Sequence, residues 1–482
     1  MKTIATFAGI AMLALAAPAG AAPILLATGT LGGTTDLSGQ TGKLENGLAG
    51  NILGGLGSGL AWAGGNRFLA LPDRGPNATA YNAAVDDTVS YISRFQSVTL
   101  QLTAQAGGGL PFALTPTLTG TTLLSSPTAL LYGTGAGLGN KADGTPLGGG
   151  APSINTAGSY YFTGRSDNFG PGGSTNPADG RFDPESVRVS NDGRSVFISD
   201  EYGPYIRQFD RASGQLLRTY ALPANLAVAN TSPQGAVEIS GNTSGRTANK
   251  GMEGLAITPD GKTLVGIMQA ELIGDKGKVV RIVTVDVATG ATKEFGYRLT
   301  TGSGVSEIVA LNDHQFLVDE RDGKGLGDGS AAAVKSIFLI DIAGATDITN
   351  VAATSSATPV VIKSGTPFID LVAALKAYGL TADQIPAKIE GMAFGEDVLL
   401  NGETLHTLYV ANDNDFVPGV AGPNQFYVFG FRDSDLSGFV PQAIVPEPAT
   451  WAMMLAGFGL LGTAMRRRRR DSDDGLRSVH AE

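Results

Sequence analysis

The chain has 482 residues, 42% of them hydrophobic and 16% charged, with a formal net charge of −10, 68 glycines and no cysteine. Disulfides and thiolate metal sites are thereby excluded, and an acidic balance argues against nucleic-acid binding while suiting divalent cations. Glycine is dispersed without a collagen period, which points to a fold with many turns, held by its core or by bound metal.

At the N-terminus Lys2 precedes an apolar run, Ile4 to Ala17, and then the small residues Pro18-Ala19-Gly20-Ala21-Ala22. A charged start, a short apolar core and a small-residue exit read as a secretory signal peptide over residues 1–22, rather than as a membrane anchor. Residues 23–440 form the expected main domain. Without residues 1–22 and 449–482 the chain keeps 27 basic and 40 acidic residues, a net charge of about −13.

The body repeats one unit. Clear copies begin at Asp183-Pro184-Glu185, Gly251-Met252-Glu253, Val305-Ser306-Glu307 and Lys388-Ile389-Glu390, and a weaker one at Gly57-Ser58-Gly59. Each has a short apolar strand, a turn and a second apolar strand that tends to end in acidic residues. The turns Asn191-Asp192-Gly193 and Pro259-Asp260-Gly261 signal β-hairpins. Further strands follow, from Tyr205 to Phe209 and from Val279 to Val287. Four strands per unit is the content of a propeller blade. The expected fold is therefore all-β, a β-propeller. The spacing suggests six blades, with five or seven also compatible, and the extra degenerate blade would lie around Ser97 to Leu131. One short helical insertion is expected at Phe368 to Tyr378, where Phe368, Leu371, Val372 and Leu375 share a face. Residues 140–178 and 226–249 read as long loops around one mouth.

In a propeller the innermost strands line the axis, so a residue recurring at one strand position forms a ring. Glu185, Glu253, Glu307 and Glu390 precede the first strand of their copies. Asp200-Glu201, Gln269, Asp319-Glu320 and Asp413 end the second. Carboxylates facing one channel repel unless a cation or a proton neutralises them. Oxygen ligands with only three histidines suit calcium or magnesium over zinc. The candidate metal ligands are Glu185, Asp200, Glu201, Glu253, Glu307, Glu320, Glu390 and Asp413. Asp192, Asp260 and Asp313 are read instead as turn residues. Gly261-Lys262-Thr263 is a hairpin turn and not a phosphate loop, since Ala256 stands where that motif needs glycine. Neither G-x-S-x-G nor H-E-x-x-H occurs.

The C-terminus carries Val445-Pro446-Glu447-Pro448, an uncharged span at 449–465 and five arginines, Arg466 to Arg470. Such a span is at the short end of what crosses a bilayer, and the arginines would stay cytoplasmic. Residues 444–470 resemble the PEP-CTERM sorting signal, which implies processing by an exosortase and an exported, surface-directed protein. The polar tail 471–482 departs from that pattern, because such signals usually stop at the arginines.

Phe162-Thr163-Gly164-Arg165-Ser166-Asp167, Asp183-Pro184-Glu185, Ser199-Asp200-Glu201-Tyr202-Gly203-Pro204, Gly251-Met252-Glu253-Gly254-Leu255, Glu320-Arg321-Asp322 and Ile389-Glu390-Gly391 resemble the phytase-like family with esterase-like activity. The resemblance spans residues 45 to 430. It implies a propeller related to calcium-dependent phytases, without defining the substrate, and the expected activity is metal-assisted hydrolysis of a small anionic ester of phosphate or carboxylic acid. Arg74, Arg207 and Arg321, with Arg165 on a loop, are the candidate cations for the anionic group, and Tyr202 a candidate hydrogen-bond donor. Two readings stay open beside hydrolysis. One is a non-catalytic envelope propeller that binds a protein or an extracellular polysaccharide. The other is a lactonase-type propeller.

Overall fold

The computed structural model describes residues 23–77, 88–107, 109–132, 151–165, 173–232 and 235–445. The expected signal peptide, the span 449–465, the polar tail, and Ser166 and Asp167 of the quoted motif lie outside the described residues. Among the described residues no helix is long and apolar enough to cross a membrane.

The chain opens with β1 (Ile24–Leu31). The first blade is β2 (Gly59–Trp62), β3 (Arg67–Leu71), β4 (Arg94–Ala104) and β5 (Phe112–Leu123), and a small ladder pairs β6 (Ser125–Ser126) with β7 (Tyr160–Tyr161). The second blade is β8 (Pro184–Val189), β9 (Ser195–Asp200), β10 (Tyr205–Asp210) and β11 (Leu216–Ala221), followed by the short helix α1 (Gly235–Gly241). The third is β12 (Met252–Ile257), β13 (Thr263–Met268), β14 (Val279–Asp286) and β15 (Thr292–Arg298). The fourth is β16 (Gly304–Ala310), β17 (Gln315–Arg321) and β18 (Lys335–Asp341), with β19 (Ile362–Lys363) and β20 (Ile369–Asp370) both paired to β18. Helix α2 (Leu371–Tyr378) precedes the fifth blade, which is β21 (Lys388–Phe394), β22 (Val398–Leu400), β23 (Glu403–Asp413) and β24 (Asn424–Phe431), with helix α3 (Pro418–Ala421) between the last two. β1 completes this fifth sheet as its outer strand against β24, so the two ends of the domain close the ring together.

The inner strands β2, β8, β12, β16 and β21 pack in sequence, and β21 returns to β2. The count is five blades, one of the numbers compatible with the spacing, which on its own suggested six. The stretch around Ser97 to Leu131, read as a degenerate extra blade, supplies the two outer strands of the first blade instead, where β4 and β5 pair over eleven positions. A hairpin pattern alone does not say whether it starts a sheet or finishes one.

Burial follows the architecture. β8 and β12 are buried at every residue, because both faces of an inner strand meet neighbouring blades, whereas the outer strand β5 is largely exposed or half-buried. Continuous apolar runs such as Val187 to Val189 therefore mark inner strands. The predicted hairpins form with Gly193 at φ 71° and Gly261 at φ 74°, the left-handed region that glycine adopts without strain. Helix α2 appears within the expected stretch. Asp370 caps it by accepting from the Ala373 N–H, Gly379 ends it at φ 113°, and Leu371, Val372 and Leu375 turn inward.

Every inner strand runs the same way, so the propeller has two distinct faces. The strand starts and the ends of β3, β9, β13, β17 and β23 surround an upper mouth. The hairpin turns surround a lower mouth.

Candidate metal and anion site at the upper mouth

Four of the five inner strands enter the ring through an irregularity in their ladders. The shifts fall between Pro184 and Val187, Met252 and Gly254, Val305 and Glu307, and Ile389 and Met392. A bulge re-aims the side chain it skips. The skipped positions include Glu185, Glu253, Ser306 and Glu390, and these surround the upper mouth. Glu307 is one residue further along, in register with Gly254, opposite Asp319. It therefore lies deeper in the channel than the other three glutamates with which the sequence groups it.

At that deeper level Glu307 is fully buried and accepts from Ser186 Oγ (2.8 Å), Leu255 N (3.1 Å) and Ile308 N (2.9 Å). Arg188 lies 2.9 Å from it and donates to the Leu60 and Ile308 carbonyls at 2.6 and 2.9 Å. The pair binds four blades across the axis and forms a septum between the two mouths. Burial pushes the Glu307 carboxyl up to about 7 against the pull of Arg188.

Above the septum two groups of three carboxylates assemble. Asp183, Glu185 and Glu201 each offer an oxygen within 4.8 Å of the others, and so do Asp73, Asp413 and Asp415. Burial raises the Glu185 carboxyl well above the ordinary range, and Glu253 and Asp183 add to it. Burial and then Asp413 do the same to Asp73. Glu201 is pushed up to about 7 by burial and by Asp183. Its Oε1 is buried and has no hydrogen-bond partner. Glu253 rises through burial and through Glu390, and accepts from Gln269 Nε2 at 2.9 Å.

Three cations border these groups. Arg74 Nη1 is 2.9 Å from Asp183 and 3.9 Å from Glu201. Lys388 Nζ is 2.9 Å from Asp413 and 2.7 Å from Asp415, and keeps 32% of its side chain exposed. Arg321 contacts Ser306 and Glu390 and lies 3.9 Å from Glu253. Ser306, at the ring position that holds glutamate elsewhere, leaves room for that guanidinium. Hard oxygen donors, mutual repulsion and an orphaned buried carboxylate oxygen fit a divalent ion.

The mouth thus gathers Glu185, Glu201, Glu253, Glu390, Asp413, Arg74 and Arg321 from the sequence-derived set. Six others are not part of these groups, and one of them, Arg165, is a buried side chain. Asp200 pairs with Arg207 at 3.3 Å and accepts from the N–H groups of Asp183 and Tyr202. Arg207 is buried against the rings of Phe162, Phe182 and Tyr205. Glu320 accepts from Tyr297 (2.7 Å), from the Thr300 and Gly302 N–H groups and from Lys363. Burial alone would raise its carboxyl, but Lys363 and the Gly302 N–H hold it at about 2. Tyr202 donates to the Gly164 carbonyl at 2.9 Å. Glu307 belongs to the septum. Conversely, Asp73, Asp183, Asp415 and Lys388 escaped the sequence reading although all stand inside the repeat units. The acidic residues just past the end of a second strand, as in Leu71-Pro72-Asp73, were the signal for Asp73 and Asp415, whereas Asp183 and Lys388 stand at the start of a first strand.

Part of the loops expected around one mouth reaches this end, while Gly158 accepts from Gln215 beside the β10–β11 turn. Helix α1 delivers Glu238, which accepts from Ser174 Oγ at 2.6 Å and lies 3.7 Å from Arg246. Arg246 donates to the Tyr202 carbonyl.

A family model described as phytase-like, esterase-like activity of phytase, matches residues 51–416. A PEP-CTERM protein-sorting motif matches residues 445–470. An "Uncharacterized secreted protein" of Arthroderma benhamiae is 28% identical over 315 residues, 55% of this chain and 54% of that protein. The chain thus spans about half the length of that curated relative. Among solved structures, Kuenenia stuttgartiensis hydrazine synthase shares 12% identity over 80% of this chain and 82% of that one, with a TM-score of 0.30. A putative 6-phosphogluconolactonase from Bacteroides uniformis shares 13% over 76% and 82%, with a TM-score of 0.29. Overlaps this low say nothing of the site.

Proposed function

This chain belongs to the phytase-like family, and from that premise we propose that its upper mouth is a divalent-cation-dependent site that hydrolyses small anionic esters of phosphate or carboxylic acid. The observation that carries the reading is the pair of three-carboxylate groups sharing one mouth with Arg74, Lys388 and Arg321. The sorting motif makes it an exported, surface-directed protein and implies exosortase processing.

Asp183, Glu185 and Glu201 would hold one ion, and Asp73, Asp413 and Asp415 a second. Calcium is favoured over magnesium because clustered carboxylates suit a larger ion with flexible coordination. Such an ion supplies polarisation of the phosphoryl or acyl oxygen and a more acidic bound water. Lys388, the most exposed of the three cations, is placed to meet the anionic group as it enters. Arg74 and Arg321 orient it further in. Glu253, raised by burial and held by Gln269, is the group suited to take up or return a proton.

A panel of phosphate monoesters, carboxylic esters and sugar lactones, assayed with calcium and with chelator, tests the reading. Calcium-dependent turnover of an anionic ester that Asp73→Asn abolishes is the expected result. Turnover insensitive to chelator would overturn the metal's role. No turnover of any ester would leave the propeller as a binding module, and turnover of lactones alone would point to the lactonase-type reading.

A further inference from the structure

We propose that the sorting segment fixes the orientation of this protein as well as its location. The membrane-anchored chain stands on its lower face, with the carboxylate mouth turned away from the bilayer.

The inference starts from strand direction. β24 pairs antiparallel with β23, so it descends from Asn424 at the upper face to Phe431 at the lower one. β1 begins at that same lower end, where Ile24 lies opposite Gly430. After β24 the chain does not leave the molecule. Residues 439–445 form a strap across the lower mouth. Phe439 packs its ring 4.7 Å from Phe394 and 4.7 Å from His406. Val440 donates its N–H to Leu311 of the fourth blade at 2.9 Å. Gln442 donates to the Val189 carbonyl and to Asn191 Oδ1 of the second blade, both at 2.8 Å. Val445 donates its N–H to the Asn191 carbonyl at 2.8 Å. Pro441 and Gln442 also wall a cavity of about 420 Å³ that Trp62, Arg188, Ile257 and Phe394 line from the blades.

The strap leads directly into the membrane signal. The sorting motif match begins at residue 445, the last residue that the strap pins. Three residues, Pro446 to Pro448, separate Val445 from Ala449, where the uncharged stretch begins, so four backbone steps join the two. A tether of that length reaches at most ~14 Å. An inner strand of six residues is about 20 Å tall, so the upper mouth stands further from the membrane than the tether allows the propeller to turn over. The mouth then receives what diffuses in from outside, and the lower cavity faces the bilayer. None of this depends on the mouth being hydrolytic.

The chain has no cysteine, so a single introduced thiol reports position. Lys262→Cys places one at a lower hairpin tip, where the lysine side chain is 79% exposed. Val420→Cys places one at the upper face, at a residue 61% exposed. The unprocessed full-length chain, labelled with a donor dye, is reconstituted into vesicles carrying an acceptor on their lipid headgroups. Energy transfer about twofold or more higher from position 262 than from 420 is expected for a height difference of about 20 Å. Equal transfer, or more from position 420, overturns the proposal. In a second variant about 20 Gly/Ser residues are inserted between Val445 and Pro446, leaving the folded domain untouched. Such a linker spans roughly 25 Å and should level the two signals. An asymmetry that survives the insertion would show that the tether does not set the orientation, and it too would overturn the proposal.

Discussion

His406 sits at the lower face with its ring nitrogens 2.8 Å from Asp397 and 2.8 Å from Asp433. Burial works against its charge, yet the two carboxylates hold the imidazole above its ordinary range. A raised folded pKa means that the stability it contributes is fully present below the unfolded value of about 6.5. That contribution is lost as pH rises through the folded pKa. Partial exposure screens the pairs and keeps the effect modest. In urea titrations between pH 6 and pH 9, the wild type should lose stability that His406→Gln never had. The difference between the two proteins should therefore close as pH rises. A constant difference across that range would mean that the imidazole does not titrate against its aspartates. The same ring packs on Phe439, so this residue also measures how firmly the strap is seated.

The inner strands are held together by close backbone approach. A Cβ added at Gly254 would lie 2.8 Å from Ile308 N and 2.9 Å from the Glu307 carbonyl carbon. At Gly59 it would lie 2.9 Å from Ser186 Cα, and at Gly391 3.0 Å from the Gly57 carbonyl oxygen. These are backbone atoms, which cannot swing aside. The ring below the mouth therefore takes glycine or serine, with Glu307 as the exception whose side chain fills the channel. Gly254→Ala should destabilise by about 1–3 kcal/mol, the usual cost of overpacking. Gly365→Ala, where nothing lies within 4 Å, should stay near neutral. Urea midpoints for the two variants decide it, and equal midpoints would mean that the blades can separate at no cost. The close approach has a consequence for the septum. Because β12 and β16 sit so near each other, the N–H groups of both Leu255 and Ile308 reach one carboxylate.

At the scale of the molecule, β1 from the start of the domain completes the fifth sheet against β24, β21 packs back on β2, and no disulfide reinforces this closure. One ion at the mouth would tie the first blade to the fifth through Asp73, Asp413 and Asp415, and the other would clamp the start of β8 to the end of β9 within the second blade through Asp183, Glu185 and Glu201. Calcium at about a hundredfold excess over its Kd should stabilise the fold by about 2.7 kcal/mol. Chelation should lower the melting temperature accordingly. Glu201→Gln should blunt the calcium response, while Asp260→Asn, in an exposed hairpin turn, should leave it intact. Identical responses in both variants would place the ion elsewhere, and no response in the wild type would mean that protons and the three cations alone neutralise the mouth.

Much of this was legible in the chain itself. Strand pairs and their turns are local, so Asn191-Asp192-Gly193 and Pro259-Asp260-Gly261 announced the hairpins, and the repeat announced a propeller with acidic inner ends. The PEP-CTERM signal is linear and needs no fold to be read. Three things waited for the tertiary structure. Blade number depends on which hairpin joins which sheet, and β4 with β5 looks the same whether it starts a blade or completes one. The level of Glu307 depends on a one-residue difference in ladder register, and such a shift re-aims a side chain without altering composition or spacing. The partners of Asp200, Glu320 and Arg207 were set by packing. A carboxylate facing Lys363, or a guanidinium among Phe162, Phe182 and Tyr205, is decided by residues far apart in sequence, which only folding brings into contact.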